Sequence, residues 1–324
     1  MDSVGNPHPA RFRTKRTREV DLHANNLEFW QQDYVQTSSG VFDGQVRELW
    51  AGAMQAFDEV ANCATRQHCR PWEGGIWLGL SALEQPAGLR FMGHTVSGFE
   101  LMISDACESF AMHVPANHGL YGLVIDSREL HARLHQADAP THATGTGTGA
   151  RVLAITPSQR FRLTGLLREV FRSLEATPTV LSHEASRRGL KEALFDTVED
   201  IFVRERPAAP LSTTEQRQQD LVHRAHELVH EHPHDYLDVD TLCTHLHVTR
   251  RTLQNCFQKC LGMSPAHYLR IVRLNAVRRQ LRSGSSQQSI GDVAARWGFW
   301  HLGHFSHHYK ALFGETPRQT RPQA

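Results

Sequence analysis

Between Leu242 and Pro317 this 324-residue chain carries one supersecondary pattern written twice, and such a repeat constrains a fold more tightly than any single motif. In the first copy Leu242-Cys-Thr-His-Leu246 makes a short apolar-faced run, His247-Val248 a turn, and Thr249 to Gly262 a longer helix. Along that helix Leu253, Cys256, Phe257, Cys260 and Leu261 recur at the spacing of one buried face, which turns Arg250, Arg251, Gln254, Asn255 and Gln258 outward. Thr249 stands where an N-cap is needed and Gly262 where a left-handed residue ends a helix. The second copy runs Ile290, Val293, Ala294 and Trp297, then a turn at Gly298-Phe299, then a stripe of Phe305, Tyr309, Leu312 and Phe313. Its outward face carries Leu302, Gly303, Ser306, His307 and Lys310, with Gly314 as its stop and Pro317 just beyond.

The segment joining the copies reads as one helix from Pro265 to Arg282, broken by Ser283-Gly284-Ser285-Ser286. At about 100° per residue Tyr268, Leu269, Val272 and Ala276 share one sector, and Leu274, Val277 and Leu281 fall nearly opposite. A helix with two apolar stripes packs between two bodies. Its length of roughly 27 Å approaches the ~34 Å between successive major grooves on one side of a DNA duplex. Two helix-turn-helix units so spaced predict that both longer helices engage one face of double-stranded DNA. Arginine pairs with guanine through two hydrogen bonds, as glutamine and asparagine do with adenine, so the outward face of the first helix suits base reading. Arg278, Arg279 and Arg282 occupy a third sector; phosphate contact and a solvated basic face are equally good readings of them.

Charge distribution agrees. The net charge is only +1, but from Thr241 onward 12 Lys and Arg face 2 acids, against 23 and 32 in the preceding residues. One end is basic and the rest acidic, the asymmetry of a chain with one phosphate-binding module.

The stretch from about Tyr236 to Thr320 resembles the DNA-binding module of AraC/XylS transcriptional regulators, through Thr249-Arg-Arg-Thr-Leu-Gln254, Gly262-Met-Ser-Pro265, Arg273-Leu-Asn275, Trp297-Gly-Phe299, His304-Phe305 and Phe313-Gly-Glu-Thr-Pro317. Within that family the resemblance is strongest to the regulator of ethanolamine-utilisation operons. Leu246 to Asn255, Arg273 to Arg279 and Trp297 to Gly303 carry it, with weaker matches around Phe42-Asp-Gly44, Trp77-Leu-Gly79 and Phe91-Met-Gly93. The resemblance places Arg251, Gln254 and Asn255 of the first helix at base-edge positions, and Leu302, Gly303, Ser306 and His307 of the second. The second helix departs from the family pattern: Trp300-His301 replaces the polar N-cap pair, and Leu302-Gly303 offers a base edge no side-chain hydrogen bond. What the resemblance implies is an activator of a catabolic operon that needs no cofactor to bind DNA. Its partners would be promoter DNA, RNA polymerase and a second copy of the chain, and its effectors ethanolamine and adenosylcobalamin. A regulator answering a different small molecule fits the same residues. An enzyme or ligand carrier in the N-terminal half is the remote alternative, against which stands the lack of a nucleophile elbow, dinucleotide loop or metal triad.

The N-terminal half predicts an α+β architecture. Gly75 to Leu80, Gly98 to Ile103, Ser109 to His113 and Leu120 to Ile125 read as strands of a small antiparallel, cupin-like β-barrel. Two amphipathic helices follow, one on Phe161, Leu166, Leu167, Val170, Phe171 and Leu174, the other on Leu190, Leu194, Val198, Ile201 and Phe202. This hairpin either packs on the barrel or supplies a dimer face. The expected organisation is a disordered tail over 1–20, an effector-binding and dimerisation domain over 21–206, a linker over 207–216 and the all-α DNA-binding domain over 217–324. Trp72, Trp77, Phe91 and Phe99 are candidates for the effector pocket, although aromatics on strands are more often core.

No catalytic or metal site is expected. His301, His304 and His308 share a helical face but lack carboxylates to orient them, and His113 and His118 are a looser pair. Thr144 to Gly149 is a loop with no strand before it, so it is not a phosphate cradle. The six cysteines show no CxxC pair, consistent with reduced thiols. No apolar run approaches the ~20 residues of a membrane span, and no signal-peptide core follows the basic N-terminus, so a cytoplasmic location is expected.

Overall fold

The computed structural model describes residues 8–105, 109–136, 150–203, 206–207, 213–231, 237–283 and 288–321. Two antiparallel sheets carry the N-terminal half. The larger has the order β1 (His8–Thr17), β3 (Gly44–Gly52), β4 (Met54–Ala61), β11 (His118–Asp126), β6 (Gly75–Ser81), β9 (Glu100–Asp105), β12 (Arg151–Ala154) and β13 (Arg206–Pro207). The smaller has the order β2 (Gln31–Gln36), β5 (Thr65–Arg70), β10 (Phe110–Val114), β7 (Arg90–Phe91) and β8 (His94–Thr95).

Side chains alternate across the larger sheet and so feed two cores. On β11, Leu120 and Val124 point into the space between the sheets, where they meet Tyr34, Phe91, Phe110 and Met112. Tyr121, Leu123 and Ile125 point the other way, onto helices α3 (Pro157–Ala176) and α4 (Glu184–Val203). The helices bury Leu163, Leu167, Val170, Phe171 and Leu174, and Leu194, Val198, Ile201 and Phe202, on that face. The hairpin therefore packs on the sheet, while Phe161, expected in its apolar stripe, is 77% exposed. Short helices α1 (Val20–Ala24) and α2 (Ser127–Gln136) complete this half.

The expected barrel is not closed. No strand pairing among the described residues joins the two sheets. The outer edge of β2 is instead covered by a helix of the C-terminal half, so a strand that would have to close the barrel is already occupied. The disordered tail over 1–20 is also corrected. Residues 1–7 lie outside the described residues, but 8–17 form β1, in register with β3 from Arg11↔Trp50 to Thr17↔Gly44. Its basic residues, which suggest a solvated tail, meet acids. Arg13 donates to the carboxylates of Glu28 and the buried Glu48 and, at 2.7 Å, to the Asn26 carbonyl, while Arg16 binds Asp43. A buried carboxylate such as Glu48 is costly without a cation, and β1 provides one.

The C-terminal half is helical: α5 (Thr213–Glu231), α6 (Val239–Leu246), α7 (Arg250–Leu261), α8 (Pro265–Arg282), α9 (Ile290–Arg296), α10 (Leu302–Phe313) and α11 (Pro317–Thr320). Within the 207–216 expected as a linker, Pro207 belongs to β13 and α5 begins at Thr213; residues 208–212 lie outside the described residues, as do 144–149 of the Gly-Thr loop and 284–287 after α8. Among the described residues no helix is long and apolar enough to cross a membrane.

Two glycines make room for the aromatic layer between the sheets. Gly122 of β11 pairs with both Phe57 of β4 and Gly79 of β6. A Cβ at Gly122 would lie 2.1 Å from the Phe57 ring, and one at Gly79 would lie 2.2 Å from Trp77. Trp77 in turn stacks on Phe110 of the opposite sheet at 4.3 Å between ring centroids. Gly122→Ala should therefore destabilise the protein by about 1 to 3 kcal/mol through overpacking, read as a lower urea midpoint. Phe57→Leu in the same chain should recover part of the loss; a doubly substituted protein weaker than the sum of the two single changes would contradict this packing.

Candidate nucleic-acid interface

Each repeat is built by its own caps. In the first, the Asp238 carboxylate accepts from the Thr241 amide at 2.7 Å to start α6, and His247 turns the chain in the left-handed region at φ 54°. Thr249 then starts α7 by accepting from the Thr252 amide at 3.2 Å, and Gly262 ends it at φ 69°. In the second, Ser289 and Asp292 form a reciprocal capping box on α9. The His301 ring supplies the N-cap of α10, its Nδ1 accepting from the His304 amide at 3.3 Å, so the departure from a polar N-cap pair keeps the capping function. Gly314 closes α10 at φ 70°.

The caps fix which faces are free. Leu253, Cys256, Phe257 and Cys260 are buried on α7, leaving Arg250, Arg251, Gln254 and Asn255 exposed. Phe305, Tyr309, Leu312 and Phe313 are buried on α10, leaving Leu302, Gly303, Ser306, His307 and Lys310 exposed. Arg250 reaches Asp240 of α6 at 3.2 Å, a contact within the first repeat. Trp300, just before α10, is 88% exposed, which makes this end of the second helix unusually apolar for a surface. The linking helix α8 buries both of its apolar stripes in the core shared by the two repeats.

The third face of α8 departs from expectation. Arg278 is buried, its guanidinium held by Glu19 at 2.8 Å and Glu315 at 2.9 Å over the Phe313 ring. Arg279 bonds Asp33 at 2.7 Å and lies 3.5 Å from Asp21, and Arg282 pairs with Glu19. The three arginines offered for phosphate contact thus bind acids, mostly from the N-terminal half, in this arrangement. Asn275 sits on the same face. Its Oδ1 accepts from the Gln36 amide at 3.1 Å and its Nδ2 donates to the Gln36 carbonyl at 3.2 Å, the pattern of an added strand on the β2 edge. Gln36 extends the seam by donating its side-chain amide to the Leu312 carbonyl of α10 at 3.0 Å, beside a backbone bond from Gly40 to the same oxygen. Sequence reasoning missed Asn275, although it precedes the arginines at i, i+3, i+4 and i+7 and is the uncharged polar member of that face.

Residues 242–323 match a family model described as a helix-turn-helix domain. The probable thc operon regulatory protein of Rhodococcus erythropolis is 33% identical over 100 residues, covering 31% of this chain and 30% of that protein. The XylDLEGF operon transcriptional activator of Pseudomonas putida is 39% identical over 74 residues, 22% and 23% of the two chains. A solved transcriptional regulator from Chromobacterium violaceum, described by its AraC-type DNA-binding domain, is 30% identical over 32% of this chain and 92% of its own, with a TM-score of 0.30. Residues 242–323 are thus similar to the helix-turn-helix domain of transcriptional regulators. The chain spans less than a third of the length of these curated relatives.

The aromatic residues proposed for an effector pocket do not share one cavity wall. Trp77 and Phe91 are fully buried and pack 5.7 Å apart between the sheets, Trp72 lies against Trp50, and Phe99 stands on the outer side under Arg160. The His301 and His304 rings lie 4.4 Å apart, but among the described residues no group of three potential ligands is placed to hold a metal ion. Cys63, Cys69, Cys256 and Cys260 are buried free thiols and Cys243 a half-buried one; Cys107 lies outside the described residues.

Burial pushes the Asp21 carboxyl up to about 6, against the lowering effect of Arg279. Well below its unfolded pKa of 3.8 this group is protonated in both folded and unfolded chains. As the pH rises towards 6 only the unfolded chain ionises freely, so native stability falls over that window. Asp21→Asn should leave stability nearly unchanged at about pH 3 and raise it at about pH 7.5 by on the order of 2 kcal/mol. Chemical denaturation at the two pH values measures this; an equal effect at both would sink it.

Proposed function

We propose that the protein is a sequence-specific transcriptional regulator, acting as an activator of a catabolic operon, whose AraC-type domain reads two successive major grooves. The observation that carries this reading is the pair of capped helices α7 and α10, each with a polar face exposed, joined by the 18-residue α8 buried between them. On α7, Arg251, Gln254 and Asn255 serve base edges, each good bidentate pair supplying about 1 to 3 kcal/mol of discrimination. On α10, Leu302 offers thymine methyls an apolar contact, Ser306 and His307 face the groove, and Lys310 holds phosphate. Arg278, Arg279 and Arg282 reach phosphate only if their carboxylate partners let go. Double-stranded promoter DNA is the partner; RNA polymerase and a second copy of the chain belong to the same reading.

Resemblance at Leu246 to Asn255 and Trp297 to Gly303 favours ethanolamine as the effector over other small molecules. Adenosylcobalamin fits less well. Three clefts among the described residues have volumes of about 70, 310 and 430 Å³, the larger two the size of small-ligand sites, and a corrinoid exceeds them. Tryptophan fluorescence titrated with ethanolamine checks the effector; no saturable change means another molecule fills that role.

Arg251→Ala should weaken binding to the cognate site by about tenfold and relax selection at one base pair, with little effect on random DNA. Lys310→Ala should weaken specific and random DNA alike and reduce the salt slope by about one. Fluorescence anisotropy at several salt concentrations separates the two; equal losses on both DNAs for both variants would overturn the assignment.

A further inference from the structure

Helices α7, α8 and α10 contain no Asp or Glu, so the surface they share has no carboxylate of its own. A basic cluster collects there, from His267 and Arg270 on the first turns of α8 and His304 and His308 on α10. At about 100° per residue His304 and His308 lie on one flank of His307 and Lys310 on the other. The His304 and His308 rings are stacked with centroids 6.5 Å apart, and the His301 ring stands 4.4 Å from His304.

The neighbouring elements add no free acid among the described residues. On α9, Asp292 is held in its capping box with Ser289, and Arg296 is a cation. Glu315, after α10, binds Arg278 and Thr320, and α11 brings only Arg318. On α7 the charged groups are Arg250, Arg251 and Lys259, and Asp33 of β2 is taken by Arg279. Arg270 accordingly turns to an imidazole: its guanidinium donates at 2.7 Å to Nδ1 of His267, which makes that ring a neutral acceptor. Burial lowers the His308 ring, and Arg270, His307, His304 and His267 lower it further; burial and Arg270 lower His267. Crowded by cations, these rings stay uncharged until an anion meets them.

The position of the cluster names the anion. Reading helices set in successive major grooves straddle the backbone between them, and α8 starts directly after α7 and reaches α10 through this patch. We propose that His267, Arg270, His304 and His308 form a phosphate-binding patch that becomes charged against DNA, so that the complex takes up protons and tightens as the pH falls. The patch acts only if the chain binds DNA as proposed above, and it adds contacts outside the two base-reading faces. Rings beside phosphate titrate higher than free ones. The added affinity is therefore fully present below the free-state values and is lost as the pH rises through the bound-state values.

Fluorescence anisotropy of the full-length protein on a random-sequence duplex, in EDTA and at constant ionic strength, tests this from about pH 8 to about pH 6. Affinity should rise at least about tenfold, and the slope of log affinity against log salt should steepen by about 0.9 for each ring charged. His304→Gln with His308→Gln should remove most of the rise while leaving affinity near pH 8 unchanged. His304→Gln alone, at an exposed position, should remove part of it and serves if the pair does not fold. His304→Lys should instead raise affinity near pH 8 and flatten the profile. Calorimetry near pH 7 in two buffers of different ionisation enthalpy should show net proton uptake on binding. A flat profile, proton release, or a rise that survives these substitutions overturns the proposal and leaves DNA binding intact. Absence of binding at every pH overturns both, which tells the two failures apart.

Discussion

One polar face of one helix decides how the two halves of this molecule meet. Asn275, nearly without solvent contact, satisfies both backbone groups of Gln36 on the free edge of β2. An unpaired buried amide costs about 1 to 3 kcal/mol, so any other register of α8 on that edge would leave two backbone groups and a side chain unsatisfied. Arg278, Arg279 and Arg282 continue the face into Glu19, Asp21 and Asp33. The exposed pairs among these contribute little to stability individually, but the buried Arg278 position is specific because moving it away from both of its acids would strand a charge. Hydrophobic contact adds Val35 of β2 to the helical core. The seam is thus specified by hydrogen-bond geometry and charge more than by apolar area.

That constraint shapes the rest of the N-terminal half. With its outer strand edge taken by a helix, the smaller sheet cannot wrap onto the larger one, and the space between them is filled by aromatic rings instead. Trp30, Phe57, Trp77, Phe91 and Phe110 meet there at centroid distances of 4.3 to 6.4 Å, largely edge-on or stacked. The layer admits them because glycines stand opposite.

The helical repeats were legible because period, caps and stops agreed: Thr249, Gly262 and Gly314 behave in the structure as local chemistry requires. Four of the strands were legible from apolar runs bounded by turn formers. The β1 strand was not, because its alternating arginines look like a solvated tail until Glu28, Glu48 and Asp43 are brought beside them by folding. Nor was sheet closure, which depends on what covers an edge, a tertiary fact with no local signature. The outward faces of α7 and α10 were fully readable from periodicity, whereas the fate of the α8 arginines was not. Their sector was correct, but their partners in the N-terminal half lay more than two hundred residues away.

The charge asymmetry has two consequences that compete. A basic C-terminal domain suits phosphate, but the 32 acids of the preceding residues offer it a partner in the same chain. On α7 and α10 the balance differs: among the described residues Arg251 and Lys310 stand exposed, and Arg250 pairs with Asp240 of its own repeat. On α8 it is decided in favour of the chain's own carboxylates, which are held at contact distance by the Asn275 register and are screened less by salt than an open surface would be. The exposed faces of α7 and α10 and the interdomain attachment of α8 therefore occupy different faces of one basic module. A substitution that weakens one need not weaken the other, and α8, shared by both, is where a change in the N-terminal half is mechanically nearest to both reading helices.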